Sequence, residues 1–296
     1  VKTGSVAVVG RPNAGKSTLV NALVGEKVAI VSDKPQTTRR RILGVARRPG
    51  AEIALVDTPG IHKPEYRLNA AMVHDAKDAL GSADLVLFVV DAAGERGPGE
   101  KYIAELVEKS GVPSVLVLNK IDRIRKEKLL PLITELTAGR NFEDVVPVSA
   151  RTGENVERLF GILASKLPEG EPSYPEDFLT STPETEWIAE VIREKLLERT
   201  RDELPFSHAV VVESVREGES KPLTVVTASI VVEKDGQKGI VVGKGGAMIR
   251  DIGRAAREEL EAELGRHLYL ELTVRVKPNW RNDKGFLARL RGVEDS

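Results

Sequence analysis

Four short segments, in this order along the chain, carry residue types suited to a nucleoside triphosphate: Gly10-Arg11-Pro12-Asn13-Ala14-Gly15-Lys16-Ser17, Asp57-Thr58-Pro59-Gly60, Asn119-Lys120-Ile121-Asp122 and Ser149-Ala150. The first fits G-x-x-x-x-G-K-[ST], a loop whose backbone N–H groups turn inward onto phosphates. Lys16 adds a point charge for the β- and γ-phosphates, and the hydroxyl of Ser17 suits Mg²⁺. Thr18 continues the loop into a helix. Asp57 is the expected carboxylate on the magnesium side, acting through water, with Thr58 and Pro59 leading to the Gly60 N–H that senses the γ-phosphate.

The third segment selects the base. The Asp122 carboxylate can accept two hydrogen bonds, from guanine N1–H and the 2-amino group. Adenine has no such donor pair and would leave that acceptor unmatched. Asn119 is expected to tie the base loop to the phosphate loop, the stem of Lys120 to lie over the guanine plane, and the Ser149-Ala150 backbone to present N–H to guanine O6. GTP or GDP with Mg²⁺ is the predicted ligand set.

Two loops between these segments are expected to move. The stretch 27–41 contains Pro35-Gln36-Thr37-Thr38-Arg39, in which a threonine hydroxyl would complete the magnesium shell only when the γ-phosphate is present. Thr38 is preferred over Thr37, so Ser17, Thr38 and Asp57 form the predicted metal set, and Lys16, Thr38 and Gly60 the catalytic set. Arg39-Arg40-Arg41 reads as a solvated basic face, with a contact for RNA or a partner as the alternative. The other loop follows Gly60. Its first residue is Ile61, which cannot orient a water, so slow intrinsic hydrolysis is expected. His62 is a poor substitute, since a loop histidine is ordinarily solvated. A K⁺ ion held by Asn13 could offset the transition-state charge instead.

The elements that must position these residues alternate in type. Apolar runs at 5–9, 52–56, 83–90, 113–118 and 144–148 read as buried strands, with helical stretches at 16–24, 68–80, 100–109, 126–136 and 155–167. Such alternation predicts an α/β domain with a mostly parallel sheet and helices on both faces, each nucleotide segment following a strand. A further strand at 41–48 is expected at an edge.

The chain holds 296 residues, enough for two cores. The expected boundaries are a nucleotide domain at 1–167, a proline-rich linker at 168–183 and a second domain at 184–296. There is no cysteine, which excludes disulfides and thiolate chemistry. The 44 basic and 45 acidic side chains nearly cancel, so bulk charge predicts no polyanionic partner. No apolar run approaches the ~20 residues of a membrane span, and residues 1–9 lack a secretory pattern. A cytoplasmic protein is expected.

In the second domain Thr182 looks like an N-cap with Pro183 opening a helix. The predicted order is helix, strand, strand, helix, helix, strand, making an α+β unit. Between its last two helices stands Gly243-Lys244-Gly245-Gly246. Glycines there let a nucleic-acid backbone approach peptide N–H groups, as in KH modules, and Lys244 would meet a phosphate. Lys234, Lys238, Lys244, Arg250, Arg254 and Arg257 surround the turn, and Arg266, Arg275, Lys277, Arg281, Lys284, Arg289 and Arg291 add a second basic group. Gly243, Lys244, Gly245, Gly246, Lys238 and Arg250 are the predicted RNA contacts. Trp280 and Phe286 could stack on bases or anchor the tail.

With these motifs the chain resembles the bacterial Era family of GTPases. The residues that carry the likeness are Gly-Arg-Pro-Asn-Ala-Gly-Lys-Ser-Thr, Pro-Gln-Thr-Thr-Arg, Asp-Thr-Pro-Gly-Ile-His-Lys-Pro and Asn-Lys-Ile-Asp, followed by a type II KH order with Gly-Lys-Gly-Gly. The resemblance implies binding to the 3′ end of small-subunit ribosomal RNA, a role in maturing that subunit, and peripheral association with the inner face of the membrane. A monomer is expected. The competing expectation is a membrane-associated GTPase scaffold in cell-cycle control, with the KH fold docking proteins. A metabolic nucleotide kinase would have no use for Asn119 and Asp122.

Overall fold

The computed structural model describes residues 1–34, 36–61, 66–95, 97–200, 204, 207–218 and 222–290; Pro35, His62 and Arg291 lie outside them. The chain divides into two compact units, Val1–Glu65 with Asn69–Ser181, and Thr182–Ser296 with Tyr66–Leu68.

The first unit is built on a six-stranded sheet. Its strands are β1 (Lys2–Gly10), β2 (Ile42–Arg48), β3 (Ala51–Asp57), β4 (Leu85–Asp91), β5 (Ser114–Asn119) and β6 (Asp144–Pro147), in the spatial order β2-β3-β1-β4-β5-β6. Only the β2–β3 pair is antiparallel. The helices are α1 (Lys16–Val24), α2 (Arg67–Ser82), α3 (Pro98–Ser110), α4 (Leu129–Thr137) and α5 (Val156–Lys166). Strand β4 shows why its text is a continuous apolar run. Leu85, Leu87 and Val89 join one core layer with Leu19 and Leu163, while Val86, Phe88 and Val90 join the other with Ile103 and Leu136. Both faces of the strand are covered.

Two expectations shift. A helix from 126 would require an N–H at Pro131; instead Lys126–Lys128 is a 3₁₀ turn and α4 begins at Leu129, which puts Pro131 in the first turn, where no N–H is needed. The segment expected as a linker belongs largely to the first unit. Pro168 O accepts from Thr3 N, Ser173 N donates to Glu52 Oε1 at 2.7 Å, and Val45 N donates to Leu179 O at 2.8 Å. Arg47 donates to the carbonyls of Phe178 (2.7 Å) and Pro175 (2.8 Å) and pairs with Glu52 at 3.0 Å. Prolines remove donors but keep their carbonyls, and here those carbonyls are the atoms used.

The second unit packs α6 (Glu184–Arg199), α7 (Asp235–Val242) and α8 (Ala247–Leu264) on a sheet of β7 (His208–Glu217), β8 (Leu223–Val232) and β9 (His267–Val276). The order is β7-β8-β9, with β8 and β9 parallel. Pro183 takes the cap position before α6 rather than its first helical position, at φ −59° and ψ 148°. Leu268 to Val276 turn alternate side chains into the core, as the alternation predicts. Trp280 is fully buried, donates to Ser207 O and meets Phe286 edge-on, so this pair anchors the segment that carries α9 (Lys284–Leu290).

Candidate active site and nucleic-acid interface

The phosphate loop runs from the end of β1 into α1, whose N-terminal dipole faces the same space as its N–H groups. Lys16 is buried, and its Nζ donates to Arg11 O at 3.0 Å and Gly10 O at 3.4 Å. Burial pushes its pKa down to about 8 against the pull of Asp57. Burial likewise raises the pKa of Asp57, more than Lys16 and the hydroxyls of Ser17 and Thr38 lower it. Burial works against the charge of both groups, as expected of a site built around a further charged ligand.

Ser17 Oγ donates to Asp57 Oδ2 at 2.7 Å and lies 2.7 Å from Thr38 Oγ1, which is 3.3 Å from the same carboxylate oxygen. Among the described residues Asp57 Oδ1 is buried with no hydrogen-bond partner. Three oxygen-bearing side chains and an orphaned buried carboxylate oxygen form a donor set that suits a hard divalent cation. Thr37 instead donates to Lys34 O at 2.6 Å, away from this cluster. Thr58 ties to Val8 O at 2.8 Å, and Pro59 leads into Gly60. At Gly60 a Cβ would stand 2.6 Å from Pro12 N, so only glycine permits this approach to the phosphate loop. A cleft opens between Lys16, Ser17, Gly60, Ser32 and the Gln36 to Thr38 stretch.

The base loops are cross-tied by one side chain. Asn119 donates to Ala14 O at 3.0 Å and accepts from Ala150 N at 3.0 Å, joining three of the four motif segments. Gly15, whose carbonyl is 3.4 Å from the same amide nitrogen, has no room there for a side chain. Ser149 Oγ donates to Asp122 Oδ1 at 2.7 Å, which orients the carboxylate expected to select the base. Lys120 donates to the carbonyl of Asn13 and to Asp91 Oδ2.

Several placements differ from the reading of the sequence or go beyond it. Arg39 is buried at 7 % exposure, Arg40 is half-buried and Arg41 exposed, so the arginine run is not one solvated face. Ile61 is buried in the apolar layer with Ala76 and Leu80, and its N–H donates to Gly10 O. Asp91 was missed, although it stands at the end of β4, where ligands gather in open α/β sheets. Arg11 was missed as well; it pairs with Glu100 at 3.0 Å and fixes the loop to the start of α3.

In the second unit α7 and α8 are joined through Gly243-Lys244-Gly245-Gly246. Gly243, Gly245 and Gly246 all have positive φ, and Arg250 Nη1 donates to Gly245 O at 2.8 Å. Lys238, Lys244 and Arg250 are exposed around the turn. Arg254 is instead paired with Asp251, which also holds Arg199.

Known proteins are similar to the chain in both units. Residues 5–120 match the family of 50S ribosome-binding GTPases, and residues 204–281 match the KH domain. GTPase Era of Heliobacterium modesticaldum is 46% identical over 281 residues, covering 95% of this chain and 94% of that relative. The crystal structure of an Aquifex aeolicus Era variant bound to GDP and AlF₄⁻ matches with a TM-score of 0.94 at 40% identity, covering 98% of this chain and 99% of that one. An Era structure in complex with MgGDPNP and nucleotides 1506–1542 of 16S ribosomal RNA matches with a TM-score of 0.95 at 41% identity over 98% of each chain. Among the described residues no helix is long and apolar enough to cross a membrane.

Proposed function

We propose, for a chain that belongs to the Era family of GTPases, that nucleotide binding in the first unit and RNA binding in the second serve assembly of the small ribosomal subunit. One observation carries this reading: a guanine-selecting cluster and a glycine turn ringed by exposed cations occur in one chain. The Era structure that holds MgGDPNP with 16S nucleotides supports it for the whole length. The 50S in the family description belongs to a match limited to residues 5–120. The RNA-bound relative shares both units, so its small-subunit RNA is the better guide.

The reaction is GTP hydrolysis. Water attacks the γ-phosphorus, the bond to the β–γ bridging oxygen breaks, and GDP leaves. Lys16 and the α1 N-terminus face the charge that spreads over the phosphoryl oxygens. Ser17 and Thr38, with Asp57 behind them, would hold Mg²⁺, which neutralises phosphate charge when bound. The Gly60 N–H reports the γ-phosphate. Buried Ile61 offers the water no acceptor, which fits a slow intrinsic rate. K⁺ beside Asn13 would offset the charge that Ile61 leaves unmatched, and peripheral contact with the inner face of the membrane is carried by the resemblance.

Gly245→Asp tests the RNA assignment. Gly245 has φ +58°, a conformation that aspartate tolerates, and no atom lies within 4 Å of the added Cβ, so the variant should fold. Its carboxylate would repel phosphate. Filter binding to a single-stranded oligonucleotide of the 3′-end sequence should fall roughly tenfold or more. Retained binding would favour the protein-docking alternative.

A further inference from the structure

Between the guanine-selecting residue Asp122 and α4 the chain makes two successive 3₁₀ turns, Ile121–Arg123 and Lys126–Lys128. Ile121, Ile124 and Leu129 pack, partly buried, against the apolar layer that contains Leu132 and Leu136. Four of the six side chains between these anchors are cations. Arg123, Arg125, Lys126 and Lys128 are all exposed, and Asp122 and Glu127 are the two acids among them. Among the described residues none of the four makes an ion pair. Elsewhere in the same unit arginines close onto carboxylates, as Arg48 does on Glu157 at 2.6 Å and Arg47 on Glu52 at 3.0 Å.

We infer that this ledge is a second RNA-binding surface, which takes the phosphate backbone of double-helical RNA. Four like charges in six residues repel one another, a cost that a phosphate backbone would reverse by releasing its counterions. The apolar anchors hold the turns in place, so the cations are presented without ordering a loose loop. A protein partner would want a desolvated apolar centre. The ledge turns its own apolar residues inward, and Leu130, 72 % exposed beside it, is one ordinary surface leucine. Double-helical RNA fits because it is recognised through phosphates and shape, whereas the Gly243–Gly246 turn suits a single strand. The inference rests on the RNA-binding reading above and extends it to the first unit.

The test uses the full chain, a blunt RNA duplex about two helical turns long, and a single-stranded RNA oligonucleotide. Arg125→Gln, Lys126→Gln and Lys128→Gln are combined; GDP affinity should be unchanged and checks the fold. The triple variant should bind the single strand like the parent and the duplex more weakly. Its plot of log K against log salt should be shallower for the duplex by about 0.9 for each phosphate it no longer neutralises. Gly245→Asp should do the reverse, sparing the duplex. A second variant, Arg125→Lys with Lys126→Arg and Lys128→Arg, keeps the charge and should bind as the parent.

Unchanged duplex affinity and salt slope in the triple variant would overturn the inference. So would equal losses on both probes, or no duplex binding by the parent that binds the single strand. Tighter binding of polyglutamate than of duplex, lost in the triple variant, would assign the ledge to an acidic protein. A parent that binds neither RNA would instead sink the RNA-binding reading itself.

Discussion

Lys120 Nζ stands 2.6 Å from Asp91 Oδ2, so the lysine of the base-selecting segment is fixed by a carboxylate at the end of β4. The other oxygen of Asp91 accepts from Ala93 N at 2.9 Å, which keeps the carboxylate aimed. The pair is about four-fifths buried, well beyond an exposed surface bridge. Asp91→Asn should free the lysine from the position in which its stem would meet guanine. A hydrogen bond to a charged group is worth ~1.5–3 kcal/mol, so GDP should dissociate roughly tenfold faster or more. Stopped-flow release of a fluorescent GDP measures it, and an unchanged rate would make the pair purely structural.

Asp122→Asn should move preference from guanine toward xanthine nucleotide, whose 2-oxo group accepts a hydrogen bond that an amide can donate. Ser149 Oγ, 2.7 Å from Asp122 Oδ1, can also donate to an amide oxygen, so the loop should survive. Competitive titration with GDP and XDP reads the outcome. Retained GTP affinity would overturn the assignment of the base pocket.

Hydrolysis should run faster in potassium than in sodium, roughly tenfold or more if the cation replaces one charge-stabilising group. Asn13 donates through Nδ2 to Asp33 O at 2.8 Å, which leaves Oδ1 uncommitted for a cation. Asn13→Ala should abolish the difference between salts. Equal rates in both salts with the parent chain would reduce Asn13 to a tie between two loops.

Nucleotide binding should take up protons near pH 8. Burial lowers the Lys16 pKa to about 8, while the unfolded lysine titrates near 10.5. Between these values the unfolded chain holds more protons, so this residue makes the nucleotide-free protein more stable as pH rises through that window. An arriving phosphate restores the charged form. GDP titrated without magnesium, in buffers of different ionisation enthalpy at pH 8, should show uptake of about half a proton. Magnesium is omitted because a cation beside Asp57 would act on the charge of Lys16 as well. Net release without magnesium would contradict the assignment.

The four motifs were legible because each needs backbone geometry that only a few residue types allow, and because each follows a strand. The alternating elements followed from apolar runs covered on both faces. What escaped were contacts between distant segments. Asp91 reads as an ordinary strand-end residue until Lys120, 29 positions later, closes on it. Arg39 sits in a run of three arginines that patterning assigns to water, yet tertiary packing buries it. Trp280 could have faced RNA or the core, and only the carbonyl of Ser207 decides between them.

The hydrogen bonds that bring residues 173–180 onto β2 bear on how this protein could be cut. β2 is the outermost strand of its sheet, and outermost strands with bare N–H and C=O groups recruit other chains. Leu179 occupies the N–H of Val45, and Thr180 bridges to Gly44. A fragment ending at Leu167, where the last helix of the unit closes, would strip that cover and leave Glu52, almost wholly buried, without Ser173. Such a fragment is set to self-associate, whereas one ending at Ser181 keeps its own selvedge.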